Sequence, residues 1–226
     1  MTRTRAIALS LALTAALAVA GCSTATYSAD HVEAAVASSE GWQGEWYRTT
    51  AGDEVAAFAD WGAPLYFEPD SCRNLYLVST LVVPADEGSN DTLLGVITQV
   101  EWPSTEPQFG AVRVLGSTEA AAGFLDSAEE AALPCADGYV EGEDLSWVVE
   151  SVDISRVELG DLGEALVIDE RNVASTDDDL NPVVGDYTSV LVAHENLVLL
   201  AQYFDASDPI ATGAAESDLS DMVGAL

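Results

Sequence analysis

The chain has no lysine, and its seven basic residues are all arginines. Two of them, Arg3 and Arg5, precede the first apolar run. The five that follow Cys22 (Arg48, Arg73, Arg113, Arg156 and Arg171) stand against all 39 acidic residues, a formal charge of −34 beyond that point. Such a surface repels phosphate backbones and anionic lipid head groups, which excludes nucleic-acid binding. Histidine is almost missing too. Nucleophilic catalysis needs a base held beside the nucleophile, yet His31 falls in a first helical turn and His194 beside a hairpin turn, both places for solvated polar residues. No Gly-x-Ser-x-Gly elbow, glycine-rich loop, His-Arg-Asp or Asp-Phe-Gly occurs, so the motifs of a hydrolase or kinase are absent. The three cysteines form no CxxC pair of the redox or zinc type. Asp177-Asp178-Asp179-Leu180-Asn181 fails as an EF-hand, because its sixth and twelfth positions are Pro182 and Thr188 rather than Gly and Glu. With 39 acids, chance carboxylate pairs are certain, and a glycosidase pair cannot be told from them. The expectation is a non-enzyme without cofactor or metal.

What is present begins with an export signal. Ala6 to Ala20 is apolar except for Ser10 and Thr14. At 15 residues it is short of the roughly 20 that span a membrane but suits a cleaved signal core. It closes with Val19-Ala20-Gly21-Cys22, which resembles the lipobox of bacterial lipoproteins. Small residues there admit a peptidase, and the Cys22 thiol is the side chain able to take a thioether-linked diacylglycerol of palmitate type. Since two acyl chains anchor stably where one does not, the mature protein is expected on the membrane's outer face. Residues 1–21 are read as signal peptide and 22–29 as a lipidated tether of about 28 Å when extended. Residues 30–226 are read as the domain. Outside the cytoplasm Cys72 and Cys135 are expected to pair, buried free thiols being the alternative. The bond would close a 64-residue loop worth about 4 kcal/mol.

Local signals then order the domain. Asp30-His31-Val32-Glu33 resembles a capping box for a helix over 30–39. Residues 42–67 gather Trp42, Trp46, Tyr47, Phe58, Trp61, Tyr66 and Phe67 without a period. Strands are expected at 75–83, 93–102 and 109–115. Ser117 caps a helix whose stripe is Ala121, Phe124, Leu125, Ala128 and Ala132, stopped by Pro134. Strands follow at 146–154 and 164–170, then a loop at 175–186. A hairpin of 187–193 and 196–204 turns at Glu195-Asn196. Asp208-Pro209 suggests an N-cap with proline at N1, before Leu219, Met222, Val223 and Leu226 at helical spacing. Strands with few helices between them indicate α+β with a mainly antiparallel sheet flanked by helices.

The order from Phe109 onward is strand, Ser117-Thr118-Glu119-Ala120-Ala121 helix, Cys135, Trp147 strand, hairpin at 187–204 and final helix. It resembles the extracellular sensor domain of the mycobacterial serine/threonine kinase PknH, a domain also found in stand-alone actinobacterial lipoproteins. The resemblance covers roughly 70–226. It implies an α+β fold with a central cleft and an unassigned ligand. The family's second disulfide, across the late hairpin, is absent; Tyr187 and Phe204 occupy those positions and are expected to face one another.

For ligand binding the aromatics Trp42, Trp46, Trp61 and Tyr66 are the candidates, since aromatic faces stack on sugars, lipids and cations. Core or edge packing is the alternative for each. Arg113, the lone cation of a strand, would meet an anionic ligand inside a cleft or neutralise neighbouring acids on a solvent face. The composite expectation is a membrane-anchored extracytoplasmic lipoprotein with a sensor-like or ligand-binding domain. The alternative is a non-catalytic interaction or structural lipoprotein of the envelope, marked by an exposed apolar patch.

Overall fold

The late hairpin forms the centre of the molecule because its residues are apolar on both faces, as a strand covered on both sides requires. In a computed structural model, residues 27–36, 38, 42, 44–54, 67–78, 81, 90–98, 107–141, 147–175, 184–204, 208–211 and 213–226 are described. The helices include α1 (Ala29–Val36), α2 (Arg73–Val78), α3 (Thr118–Ala132) and α4 (Ala214–Ala225), and a single helical turn also covers 51–54. The strands are β1 (Gly44–Thr50), β2 (Phe67–Glu68), β3 (Thr92–Thr98), β4 (Phe109–Val114) and β5 (Tyr139–Glu141). They continue with β6 (Trp147–Val149), β7 (Ser151–Glu158), β8 (Glu164–Ser175), β9 (Val184–His194) and β10 (Leu197–Phe204). They make one sheet in the order β1-β3-β4-β10-β9-β8-β6-β5-β2, with β7 also on β8, and every pairing is antiparallel. The fold is α+β, as expected.

Helices cover both faces. Leu166, Leu191, Val198 and Leu200 meet α2 and α3 through Leu75, Val78, Phe124 and Ala128. Val167, Val190, Val192 and Leu199 meet α1 and α4 through Val32, Val36, Leu219 and Met222. Ser117 accepts the Ala120 N–H and caps α3, and the expected stripe of α3 is buried. Cys72 and Cys135 are bonded, with Cα atoms 5.4 Å apart, joining the turn before α2 to the end of α3.

Several local readings are corrected. Residues 75–78 of the expected strand 75–83 are helical, the end of α2, and Leu81 follows in a turn at φ +57°. Cys72, Leu75 and Val78 recur at helical spacing and are all buried; a short apolar run does not by itself distinguish the two structures. The cap of α1 is Ser28, which accepts the His31 N–H, so the helix starts one residue earlier and Asp30 is free to pair with Arg48. The strand expected over 146–154 is two strands, β6 and β7. Asp208 accepts the N–H groups of Ile210 and Ala211 but closes only a turn. The last helix starts after Gly213, at φ +74°. The acidic run 177–181, Phe58 and the strand ends at 82–83 and 99–102 lie outside the described residues.

One end of the sheet holds the incoming chain. The side chain of Asn196, 1% exposed, accepts the Tyr27 N–H at 2.8 Å and donates to the carbonyls of Tyr27 at 3.0 Å and Leu115 at 2.9 Å. Asn196→Ala removes three hydrogen bonds and strands buried backbone groups. A loss of about 2 kcal/mol in denaturant unfolding is expected.

Candidate functional site

Register on the face packed by α3 shows polarity rising from one end to the other. Ala111, Leu200, Leu191 and Leu166 lie in one cross-strand row, all apolar. The next row is Phe109, Gln202, Ser189 and Ile168, and Gln202 donates to Ser189 Oγ at 3.1 Å. The row after that is Phe204, Tyr187 and Glu170. Tyr187 and Phe204 face each other with ring centroids 4.4 Å apart, as the hairpin register requires. Along β10 this row stands about 24 Å from the Asn196 end, at a rise of about 3.4 Å per residue.

Glu170 marks a branch point. Up to Arg171 the outer edge of β8 pairs with β7; from Ala174 it pairs with β6. Between Glu170 and Val173 the register with β9 shifts, a bulge. Bulges re-aim side chains and recur beside functional sites. This one returns Val173 to the same apolar face that Ile168 and Leu166 occupy. Glu170 is left buried, at 7% exposure.

The tyrosine that meets it comes from β5. Gly138, at φ +86°, turns the chain out of the Cys135 turn, where any Cβ would strike the carbonyls of Val149 and Glu150. Tyr139 follows, 6% exposed, and its hydroxyl donates to Glu170 Oε2 at 2.9 Å. Phe67 packs on the Tyr139 ring with centroids 6.0 Å apart. Burial pushes the Glu170 carboxyl up to about 7, against the donated Tyr139 hydrogen bond and with help from the Glu141 charge. Burial likewise raises Glu141. It raises Tyr187 to about 12, with Glu170 adding to the rise, and holds Tyr139 well above its ordinary value. The site is therefore a carboxyl that exchanges its proton near neutrality, set among phenols and rings. Among the described residues no three His, Cys, Asp or Glu side chains are placed to hold a metal.

The candidates drawn from sequence separate. Trp42 is 2% exposed, its ring against Gly110 and its Nε1–H donated to the Asp218 carbonyl at 3.0 Å, a core position on the opposite face. A Cβ at Gly110 would run into that ring. Gly110→Ala is expected to cost about 2 kcal/mol by overpacking, seen as a lower melting temperature with altered tryptophan emission. Trp46 is half-buried against the same α1/α4 core, and its buried Nε1 has no hydrogen-bond partner among the described residues. Trp61, Tyr66 and Cys22 lie outside the described residues. Arg113 is 2% exposed and so does not stand on a solvent face. It donates to Asp91 Oδ2 at 2.7 Å and to the Leu81 carbonyl at 3.2 Å, and its guanidinium lies 5.3 Å from the Phe124 ring. His31 Nε2 lies 2.8 Å from the Leu226 oxygen at the surface.

Glu170 and Tyr139 were absent from those candidates. The signal was available: in Glu164-Ala165-Leu166-Val167-Ile168-Asp169-Glu170 the alternating positions 166 and 168 lead straight to Glu170. Only the bulge and β5 show that this position is covered.

No family model matches the chain, and no curated protein matches it. Among solved structures, the crystal structure of the extracellular domain of PknH from Mycobacterium tuberculosis is similar, with a TM-score of 0.46 and 12% sequence identity. The match covers 88% of this chain and 93% of that one.

Proposed function

We propose that the chain is an extracytoplasmic lipoprotein, anchored through Cys22, whose non-catalytic domain works as a sensor at the Glu170 end of its sheet. The observation that carries this reading is the carboxyl of Glu170 itself. A buried ionisable group opposes folding, and a strongly perturbed one beside a bulge is a functional-site candidate. The Cys72–Cys135 bond supports an oxidising compartment. No described helix is long and apolar enough to cross a membrane; the attachment in this reading is the lipid on Cys22. Because Tyr27 is already held by Asn196, about five residues, or about 17 Å, separate the lipid from the domain. The Asn196 end then faces the membrane and the Glu170 end faces away.

Two measurements test this. Labelled palmitate should be retained by the wild type and lost in Cys22→Ala, which should also release the domain from membranes. Mass spectrometry of the soluble domain, native and then denatured, should show whether a molecule is carried, one that Glu170→Ala no longer holds. A soluble, unlabelled wild type with reduced thiols overturns the reading. An interaction lipoprotein would present a contiguous apolar surface. Among the described residues the large apolar side chains at the surface are Leu133 and Tyr47, on separate elements.

A further inference from the structure

We propose that the outer edge of β7 is a docking site for an extended, lysine- or arginine-bearing segment of a partner protein, which adds to the sheet as a further strand over Ile154–Glu158. This surface lies outside the Glu170 site and goes beyond the sensory reading by giving the domain a protein partner of stated chemistry.

The hydrogen-bonding phase of β7 follows from its two ends. Just past the strand, Leu159 donates its N–H to the Gly163 carbonyl across the β7–β8 turn at 2.8 Å. The register carries that pair on to Val157 with Ala165, Ser155 with Val167 and Asp153 with Asp169. The odd-numbered residues therefore bond to β8, and the even-numbered ones turn their N–H and C=O groups away from it. Val152 agrees, because its N–H meets the Ala136 carbonyl at 3.2 Å on the side away from β8. Beyond that contact, the outward backbone groups of Ile154, Arg156 and Glu158 have no partner among the described residues. They form a row of three donors and three acceptors along about 14 Å of strand. Such a row is a template for an added strand.

Edges are ordinarily blunted by brevity, proline, lysine or a covering element. Strand β7 has eight residues, none of them proline or lysine. The side chains of Asp153 and Ser155 are exposed on one face. The strand's arginine is engaged on the other face, towards α3, where Arg156 meets Asp126 at 2.9 Å, Glu129 at 2.7 Å and Glu164 at 2.7 Å. Those three acids together with Glu158 outnumber Arg156, and Glu130 follows Asp126 one turn further along α3. The open edge is thus flanked by negative charge, which an added strand carrying lysine or arginine complements. A second copy of this chain is the poorer occupant, because two acidic edges of strongly acidic chains would meet. Main-chain hydrogen bonds would supply the pairing, and the acids of α3 the choice of partner.

Short synthetic peptides titrated into the soluble Cys22→Ala protein test this, with backbone amide exchange as the readout. In the free protein the amides of Ile154, Arg156 and Glu158 should exchange readily, and those of Asp153, Ser155 and Val157 slowly. An alternating lysine-threonine peptide, at about ten times its Kd, should slow the first three about elevenfold. Val190 and Leu199, in the central hairpin, should be unchanged. An alternating lysine-proline peptide has the same charge but lacks the N–H groups of a strand ladder, and an alternating glutamate-threonine peptide has the opposite charge; both should leave the three amides as they were. Asp126→Asn/Glu130→Gln should raise the Kd of the lysine-threonine peptide about fivefold at low salt, and added salt should raise that of the wild type. Equal effects of the lysine-threonine and lysine-proline peptides would mean charge attraction without strand addition and overturn the proposal. An unchanged Kd in the double variant overturns the assigned chemistry, and no slowing by any peptide overturns the site. Slow exchange of the three amides in a free protein that dimerises would give the edge to a second copy and overturn it as well.

Discussion

Between pH 4 and pH 8 the wild-type domain is expected to lose about 3 kcal/mol more unfolding free energy than its Glu170→Gln variant. The folded carboxyl holds its proton up to about 7, against 4.5 for an unperturbed glutamate. Over that interval the native state binds more protons than the unfolded chain, so stability falls as pH rises. The contribution is complete below 4.5, declines between 4.5 and 7, and is gone above 7. At about 1.4 kcal/mol for each unit of displacement, the total is about 3 kcal/mol. Glu141 and Asp169 are also raised by burial and tilt both curves alike; the difference between the curves isolates Glu170. Urea unfolding at fixed ionic strength measures it. Parallel curves for the two proteins would show that Glu170 ionises inside the fold as easily as outside it.

Loss of the Cys72–Cys135 bond, in the Cys72→Ala/Cys135→Ala double variant, is expected to cost about 4 kcal/mol. The two residues are 63 apart in sequence, so the bond removes a large share of the unfolded chain's freedom. Both side chains are fully buried in the α2/α3 core, and small apolar replacements leave little else to change. The effect should appear as a lowered denaturant midpoint with a nearly unchanged native spectrum. A loss under about 1 kcal/mol would mean that the unfolded chain is already confined near these residues.

Much of the architecture was legible because its causes are local. The hairpin was readable from two apolar runs around Glu195-Asn196, and its register placed Tyr187 opposite Phe204. Helix α3 was readable from Ser117, a 3.6-residue stripe and Pro134. Residues 75–78 were not: an apolar run reads as strand until burial of Cys72, Leu75 and Val78 on one side selects a helix. Asp208 and Pro209 carry the chemistry of a helix start, yet the chain spends it on a turn, and Gly213 at positive φ makes the real entry. Among the aromatic candidates, Trp42 went to the core because Gly110 leaves room for its ring, a fit between residues 68 positions apart.

By itself the sequence determined the α+β class, helix α3, the late hairpin with Tyr187 opposite Phe204, and the bond partners Cys72 and Cys135. These follow from periodicity, caps and turns, whose range is a few residues, or, for the bond, from the two cysteines that remain when Cys22 is read as the lipid site. The tertiary structure alone decided that Glu170 is covered, that Tyr139 reaches it, and that Arg113 meets Asp91 rather than solvent. Burial and proton affinity depend on what other segments bring within a few ångströms, and no local pattern encodes that.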